Sequence, residues 1–213
     1  MREYKVNEIR NIGIIAHGSA GKTSLAEAMS YDAKAIDRLG KITDGSTLMD
    51  YDPEEIKRQM TISSSVAFME WRRHKINIID TPGDANFFAE ALTALRVVDS
   101  TVVVVNAIAG VEVQLDRLWS EADQQNKPRL IFLNKMDMER ADFYGALSHL
   151  QEAFSQKIVP MQLPIGSGES FRGIIDLLSQ KAYIYEPDTT GNKKEMEMPQ
   201  ELAREKGIGA GDR

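Results

Sequence analysis

Residues 9–25 read IRNIGIIAHGSAGKTSL, and this stretch decides the fold. Ile9 to Ala16 reads as a strand, and Lys22 to Met29 places Leu25, Ala26 and Met29 at helical spacing. Between them, Ala16-His17-Gly18-Ser19-Ala20-Gly21-Lys22-Thr23 has the form G-x-x-x-x-G-K-[ST], with alanine as its first residue. Such a loop cradles phosphates. Gly21 lets the backbone wrap closely, Lys22 sets a point charge on the β and γ phosphates, and Thr23 offers its hydroxyl to Mg²⁺. The amides of His17 to Gly21 and of the helix start at Lys22, Thr23 and Ser24 complete the anion site. A glycine turn before an ordinary helix with an exposed lysine is the plainer reading, and the strand before and helix after weigh against it.

Outward from this loop, short apolar runs alternate with helical patterns. Ser63 to Trp71 and Lys75 to Asp80 read as two strands around the polar turn Arg72-Arg73-His74. Thr101 to Val105 and Arg129 to Leu133 read as strands buried on both faces. Helices are expected over Asn86 to Leu95, Val113 to Gln125 and Asp142 to Phe154. This alternation predicts an α/β fold, the three-layer sandwich of a P-loop nucleotide hydrolase with a mostly parallel sheet. Ser30 to Met60 is long, polar and without clear periodicity, as functional or mobile loops are. After Pro160 come three short strand-like pieces, Met161 to Ile165, Gly173 to Leu178 and Lys181 to Glu186. Pro187 to Pro199 is polar, and the glycine-rich stretch 207–211 reads as a flexible tail. Residues 1–157 are therefore expected to form the nucleotide-binding core, and 158–213 the start of a small inserted subdomain with its tail.

Three further motifs carry chemistry. Asp80-Thr81-Pro82-Gly83 ends a strand at the sheet edge that holds the phosphate loop. There Asp80 can hold Mg²⁺ through water, and Gly83 can bring its amide to a γ-phosphate. Asn134-Lys135-Met136-Asp137 follows a buried strand. An ionised Asp137 accepts both the N1–H and the N2–H₂ of guanine, a donor pair adenine lacks. Lys135 can cover the base and Asn134 can tie this loop to the phosphate loop. Thr61, closing the long polar segment, can complete the Mg²⁺ shell and sense the γ-phosphate.

Taken together, the segments RNIGIIAHGSAGKTSL, RQMTISSS, INIIDTPGDANF, VVVVNAIAGVEVQLDRLW and IFLNKMD resemble the G domain of translational GTPases of the elongation factor G group. VPMQLPIGSGESFRGIIDLL resembles the beginning of the subdomain inserted in that family. The resemblance runs from Ile9 to about Tyr185. It implies GTP and GDP as ligands, Mg²⁺ as cofactor and the ribosome as partner. It also implies a catalytic set of Lys22, Thr61, Gly83 and residue 84, with Thr23 and Thr61 ligating the metal directly.

The chain departs from that pattern at three places. Asp84 stands where the family usually has a histidine that orients the attacking water, and a carboxylate there is repelled by developing phosphate charge unless protonated or turned away. Ser19 stands where an aspartate is common. No fifth guanine-binding motif follows Glu186, so the final strand and helix of the domain are expected to lie outside this chain, as part of a larger multidomain protein. Two readings stay open: a hydrolysing, ribosome-dependent factor, and a guanine-nucleotide switch that barely hydrolyses. A ribosome-protection or release-type factor is a third.

Composition agrees with this picture. The 213 residues suit one domain with an appendage at a prior of ~150 residues per domain. With 42% hydrophobic and 27% charged residues, the chain is ordinary for a globular protein. There is no cysteine, hence no disulfide, thiol nucleophile or Cys-ligated metal. The N-terminus lacks a signal-like apolar run, and no apolar stretch approaches the roughly 20 residues of a membrane span. The cytoplasm is the expected compartment. A net charge of −6 argues against indiscriminate nucleic-acid binding. His17, His74 and His149 are too scattered for a metal site, and His149 is expected on a helix surface. Arg72 to Lys75 is expected as a solvated turn, with contact to RNA as the sharper alternative. Ile165-Gly166-Ser167-Gly168 lacks the context of a second phosphate loop.

Overall fold

The computed structural model describes residues 2–155, 157–186 and 191–198. The expected tail at 207–211 and residues 187–190 and 199 of the polar stretch lie outside the described residues. Two compact units, Met1–Asn134 and Lys135–Arg213, divide the chain. The functional boundary read from the sequence lies instead at 157/158.

In the first unit the elements run β1 (Ile9–Ile15), α1 (Lys22–Asp32), α2 (Pro53–Arg58), β2 (Ser65–Trp71), β3 (His74–Asp80), α3 (Phe88–Val97), β4 (Ser100–Asn106), α4 (Val113–Gln124) and β5 (Arg129–Asn134). The five strands lie in the order β2-β3-β1-β4-β5. β3, β1, β4 and β5 are mutually parallel, and β2 pairs antiparallel with β3. Because these four strands run the same way, the C-terminal ends of β1, β3, β4 and β5 line one edge.

Strand alternation sends two sets of side chains to two faces. Ile12, Ile14, Ile76, Ile78, Val102 and Val104 pack with Ala26, Leu25 and Met29 of α1 and with Met49. The alternate residues Ile15, Val103 and Val105 are buried as well, as are Ala91, Ala94 and Leu95 of α3 and Leu115, Leu118 and Ala122 of α4. The run 101–105 is thus buried on both faces, as its unbroken β-branched pattern requires.

Several element bounds differ from the expected ones by one to three residues. β2 begins at Ser65, not Ser63, because the amides of Ile62 and Ser63 donate to the Glu55 carboxylate and are withdrawn from strand pairing. The segment 30–60, without legible periodicity, contains the end of α1, a 3₁₀ turn at Ile42–Asp44 and the short α2. Asp52 caps α2 by accepting from Glu54 N (2.8 Å), with Pro53 at its first position. Arg72 and Arg73 form a two-residue hairpin turn with φ of 44° and 71°, and both are exposed, as a solvated turn should be.

The second unit holds α5 (Phe143–Ala153) and an antiparallel meander, β6 (Gln162–Ile165), β7 (Gly173–Asp176), β8 (Lys181–Tyr185) and β9 (Lys193–Glu197). Its core is Leu163, Ile165, Ile175 and Ala182, with Phe143, Leu177 and Ile184 against them. His149 is exposed on α5. β9 was not legible in the polar stretch, since Lys193 to Glu197 are all exposed and carry no alternation of polarity. It is an edge strand protected by charge, held by its ladder to β8 and by the Lys181–Glu195 pair. No helix among the described residues is long and apolar enough to cross a membrane.

Candidate functional site

The loop between β1 and α1 is shaped by two left-handed positions, Ser19 (φ 57°) and Gly21 (φ 101°). Gly21 is the N-cap of α1, and no side chain caps that helix, which leaves the amides of its first turn for an anion. Ala20 is buried, Gly18, Ser19 and Ser24 are exposed, and Lys22 is buried with Nζ donating to His17 O at 3.0 Å. Burial pushes the Lys22 pKa below the ordinary lysine value, opposed by the nearby Asp80 and Asp50 carboxylates.

Four side chains from distant parts of the chain meet beside Lys22. Thr23 Oγ1 donates to Asp80 Oδ2 at 2.6 Å and lies 3.1 Å from Thr61 Oγ1. Thr61 Oγ1 donates to Asp50 Oδ1 at 2.8 Å. All four residues are buried. The second oxygens, Asp80 Oδ1 and Asp50 Oδ2, are buried with no hydrogen-bond partner. Burial raises Asp80 to about 7, with the Thr23 hydrogen bond and Lys22 opposing. Asp50 is raised by burial too, against the hydrogen bond from Thr61. Two hydroxyls and two carboxylates with bare oxygens are a hard-oxygen donor set, the chemistry that fits Mg²⁺. Among the described residues, no group of three or more His, Cys, Asp or Glu gathers elsewhere or here into a metal cluster.

Asp50 was missed in the sequence. It stands in a polar stretch with other acids, and only its burial beside Met49 distinguishes it.

The segment that delivers Thr61 is anchored by two buried glutamates. Glu27 on α1 accepts from Gly40 N (2.9 Å) and Leu48 N (2.8 Å), one bond to each oxygen. Glu55 accepts from Ile62 N (2.9 Å) and Ser63 N (3.1 Å), both on Oε1.

At the end of β3, Thr81 Oγ1 donates to Ile14 O, locking this turn to β1. A Cβ on Gly83 would stand 2.3 Å from Lys22 Nζ and 2.6 Å from His17 O, so only glycine fits. Asp84 is turned into a local cap: its Oδ1 accepts from Asn86 N and Asn86 Nδ2, each at 2.8 Å. At the end of β5, Asn134 Nδ2 donates to Ala20 O of the phosphate loop at 2.8 Å.

Within the second unit, Lys135 takes a left-handed conformation (φ 63°) and opens a turn closed by Met138 N on Lys135 O. Asp137 in that turn is exposed. Gly168 N donates to Met136 O (2.9 Å), so the Gly166-Ser167-Gly168 stretch braces this turn.

Residues 7–190 match the family described as elongation factor Tu GTP binding domain. The chain is 43% identical over 204 residues to an elongation factor G of Granulibacter bethesdensis, covering 95% of this chain and 29% of that protein. It is 42% identical over 204 residues to an elongation factor G of Thermotoga petrophila, covering 96% and 29%. A crystal structure of a protein from Thermus thermophilus superposes with a TM-score of 0.85 at 35% identity, over 93% of this chain and 29% of that one. The chain thus spans under a third of the length of the relatives it matches.

Proposed function

This chain belongs to the elongation factor Tu GTP-binding domain family, and on that premise we propose that it binds GTP and GDP with Mg²⁺ and hydrolyses GTP as the G domain of an elongation factor G-like, ribosome-dependent translation factor. The observation that carries this reading is the convergence of Lys22, Thr23, Thr61 and Asp80 beside Gly83 and the uncapped start of α1.

His17 to Ser24 hold the phosphates through their amides, with Lys22 as the point charge. Thr23 and Thr61 would hold Mg²⁺ through their hydroxyls, and Asp80 and Asp50 would hold its water shell with the oxygens that lack a hydrogen-bond partner. When bound, Mg²⁺ neutralises charge on the β- and γ-phosphate oxygens. Gly83 presents its amide to the γ-phosphate. Asn134 keeps the base-side loop on the phosphate loop, Lys135 covers the base, and Asp137 selects guanine. Water attacks the γ-phosphorus in line, the bond to the β–γ bridging oxygen breaks, and GDP and phosphate leave. Residues 1–157 form the functional core, 158–213 begin an inserted subdomain, and further domains of a longer chain act on the ribosome in the cytoplasm.

One observation favours the second reading, a nucleotide switch with little hydrolysis. Asp84 spends Oδ1 on capping Asn86, and that occupied oxygen is poorly placed to orient a water. GTP turnover with and without ribosomes separates the two. Ribosome-stimulated turnover supports the hydrolase, and rates at background in both conditions support the switch.

A further inference from the structure

Gln114, the second residue of α4, holds the backbone on both sides of Asp84. With its amide oriented to satisfy both neighbours, Nε2 donates to Gly83 O at 2.6 Å and Oε1 accepts from Ala85 N at 3.0 Å. The peptide before Asp84 carries the Gly83 carbonyl, and the peptide after it carries the Ala85 amide. One side chain therefore fixes both planes, and with them the φ of −82° and ψ of 143° at residue 84. A primary amide donates and accepts at once in this way, which an ionised carboxylate or an alkyl side chain cannot.

The same helix end also grips the phosphate loop. Glu112, the N-cap residue of α4, places Oε1 3.2 Å from Nδ1 of the buried His17 ring, and that nitrogen is 2.7 Å from Gly18 O. Both neighbours only accept, so the proton sits on Nδ1. Gly83 in turn is packed against Lys22 Nζ and His17 O. The walls around the γ-phosphate position thus share one anchor, the first turn of α4.

We propose, resting on the GTPase reading above, that Gln114 is a positioning residue. It sets the Gly83–Asp84–Ala85 backbone in the conformation that meets the γ-phosphate, while Glu112 holds the phosphate loop in place through His17. Neither residue contacts phosphate itself. The consequence is selective: GTP, which needs the Gly83 wall, depends on Gln114, and GDP does not.

Two variants test this in the full chain. Gln114→Leu removes both bonds, and Gln114→Glu keeps the acceptor but loses the donor while ionised. Affinities for GDP and for a non-hydrolysable GTP analogue are measured with Mg²⁺ at about pH 7.5 and about pH 5.5, beside thermal melts that check folding. At the higher pH, GDP affinity stays within about twofold of wild type, and analogue affinity falls roughly five- to tenfold in both variants. Toward the lower pH the protonated fraction of the introduced carboxyl, which donates to Gly83 O again, grows, so the Gln114→Glu loss relative to wild type at the same pH shrinks while that of Gln114→Leu does not. Equal losses for GDP and analogue, or unchanged analogue affinity, overturn the proposal while wild-type binding keeps the GTPase reading intact. A wild type that binds neither nucleotide overturns that reading and this proposal with it.

Discussion

Gly21 and Asn134 approach so closely that a Cβ on Gly21 would stand 2.2 Å from Asn134 Nδ2. The glycine therefore serves two loops: its φ of 101° suits no other residue, and its missing side chain leaves room for the Asn134 bond to Ala20 O. Gly21→Ala is expected to lower stability by about 1–3 kcal/mol and GDP affinity by at least roughly tenfold. Asn134→Ala removes the obstacle, so the double variant costs less than the sum of the singles. Denaturant unfolding and GDP titration of the four proteins measure that coupling.

The two buried glutamates that anchor the segment before Thr61 differ in a testable way. Glu27 uses both oxygens, so Glu27→Gln turns an NH₂ toward a backbone N–H at Gly40 or Leu48. The expected cost is about 1–3 kcal/mol, with faster proteolysis between residues 36 and 60. Glu55 uses Oε1 for both bonds, which an amide oxygen retains, so Glu55→Gln costs about 1 kcal/mol or less. Equal losses in the two variants, read by chemical denaturation, would contradict this assignment.

Local chemistry was legible in the sequence where one short stretch carries the whole device. The phosphate loop, Asp80-Thr81-Pro82-Gly83 and Asn134 each announce themselves by residue type after a buried strand. The mostly parallel sheet follows from the same runs, because the unbroken apolar stretch 101–105 suits a strand covered on both faces. Asp50, Glu27, Glu55 and Gln114 were illegible for the opposite reason. Each acts on a backbone or side chain brought near by the fold, as Glu27 does on Gly40 and Gln114 on Gly83. An acid in a polar segment or a glutamine at a helix start has no local mark of that duty. β9 escaped notice because a charged edge strand has no buried face to set a period of two.

Burial sets a pH dependence on the metal-binding cluster. The Asp80 carboxyl rises from 3.8 to about 7 when the protein folds without metal. Its favourable contribution is therefore complete below about pH 4 and is lost as pH rises through about 7. In EDTA, wild type is expected to lose on the order of 5 °C in Tm relative to Asp80→Asn between pH 5.5 and 7.5. Mg²⁺ with GDP favours the ionised carboxylate, so metal-dependent GDP affinity rises over the same range. Melts that run parallel for the two proteins would show that Asp80 is ionised throughout.

Gln59 closes α2 in a left-handed conformation (φ 52°) and is exposed. Glycine adopts that conformation without the Cβ penalty, so Gln59→Gly is expected to raise stability by about 0.5–1 kcal/mol. Its neighbours lead directly to Thr61, and the same variant leaves the Thr61–Asp50 bond in place. Equilibrium unfolding measures the first effect, and unchanged Mg²⁺-dependent GDP affinity the second.

In the proposed function Lys22, Thr23, Thr61 and Asp80 take the phosphates and Mg²⁺, and Asp137 selects guanine. Calorimetric titration of the full chain with GDP, GTP and ATP, with and without Mg²⁺, tests it most directly. One GDP or GTP is expected to bind per chain, strengthened by Mg²⁺, with ATP weaker by at least ~100-fold, the discrimination a site built on paired hydrogen bonds reaches. ATP binding equal to or tighter than GDP binding would contradict it.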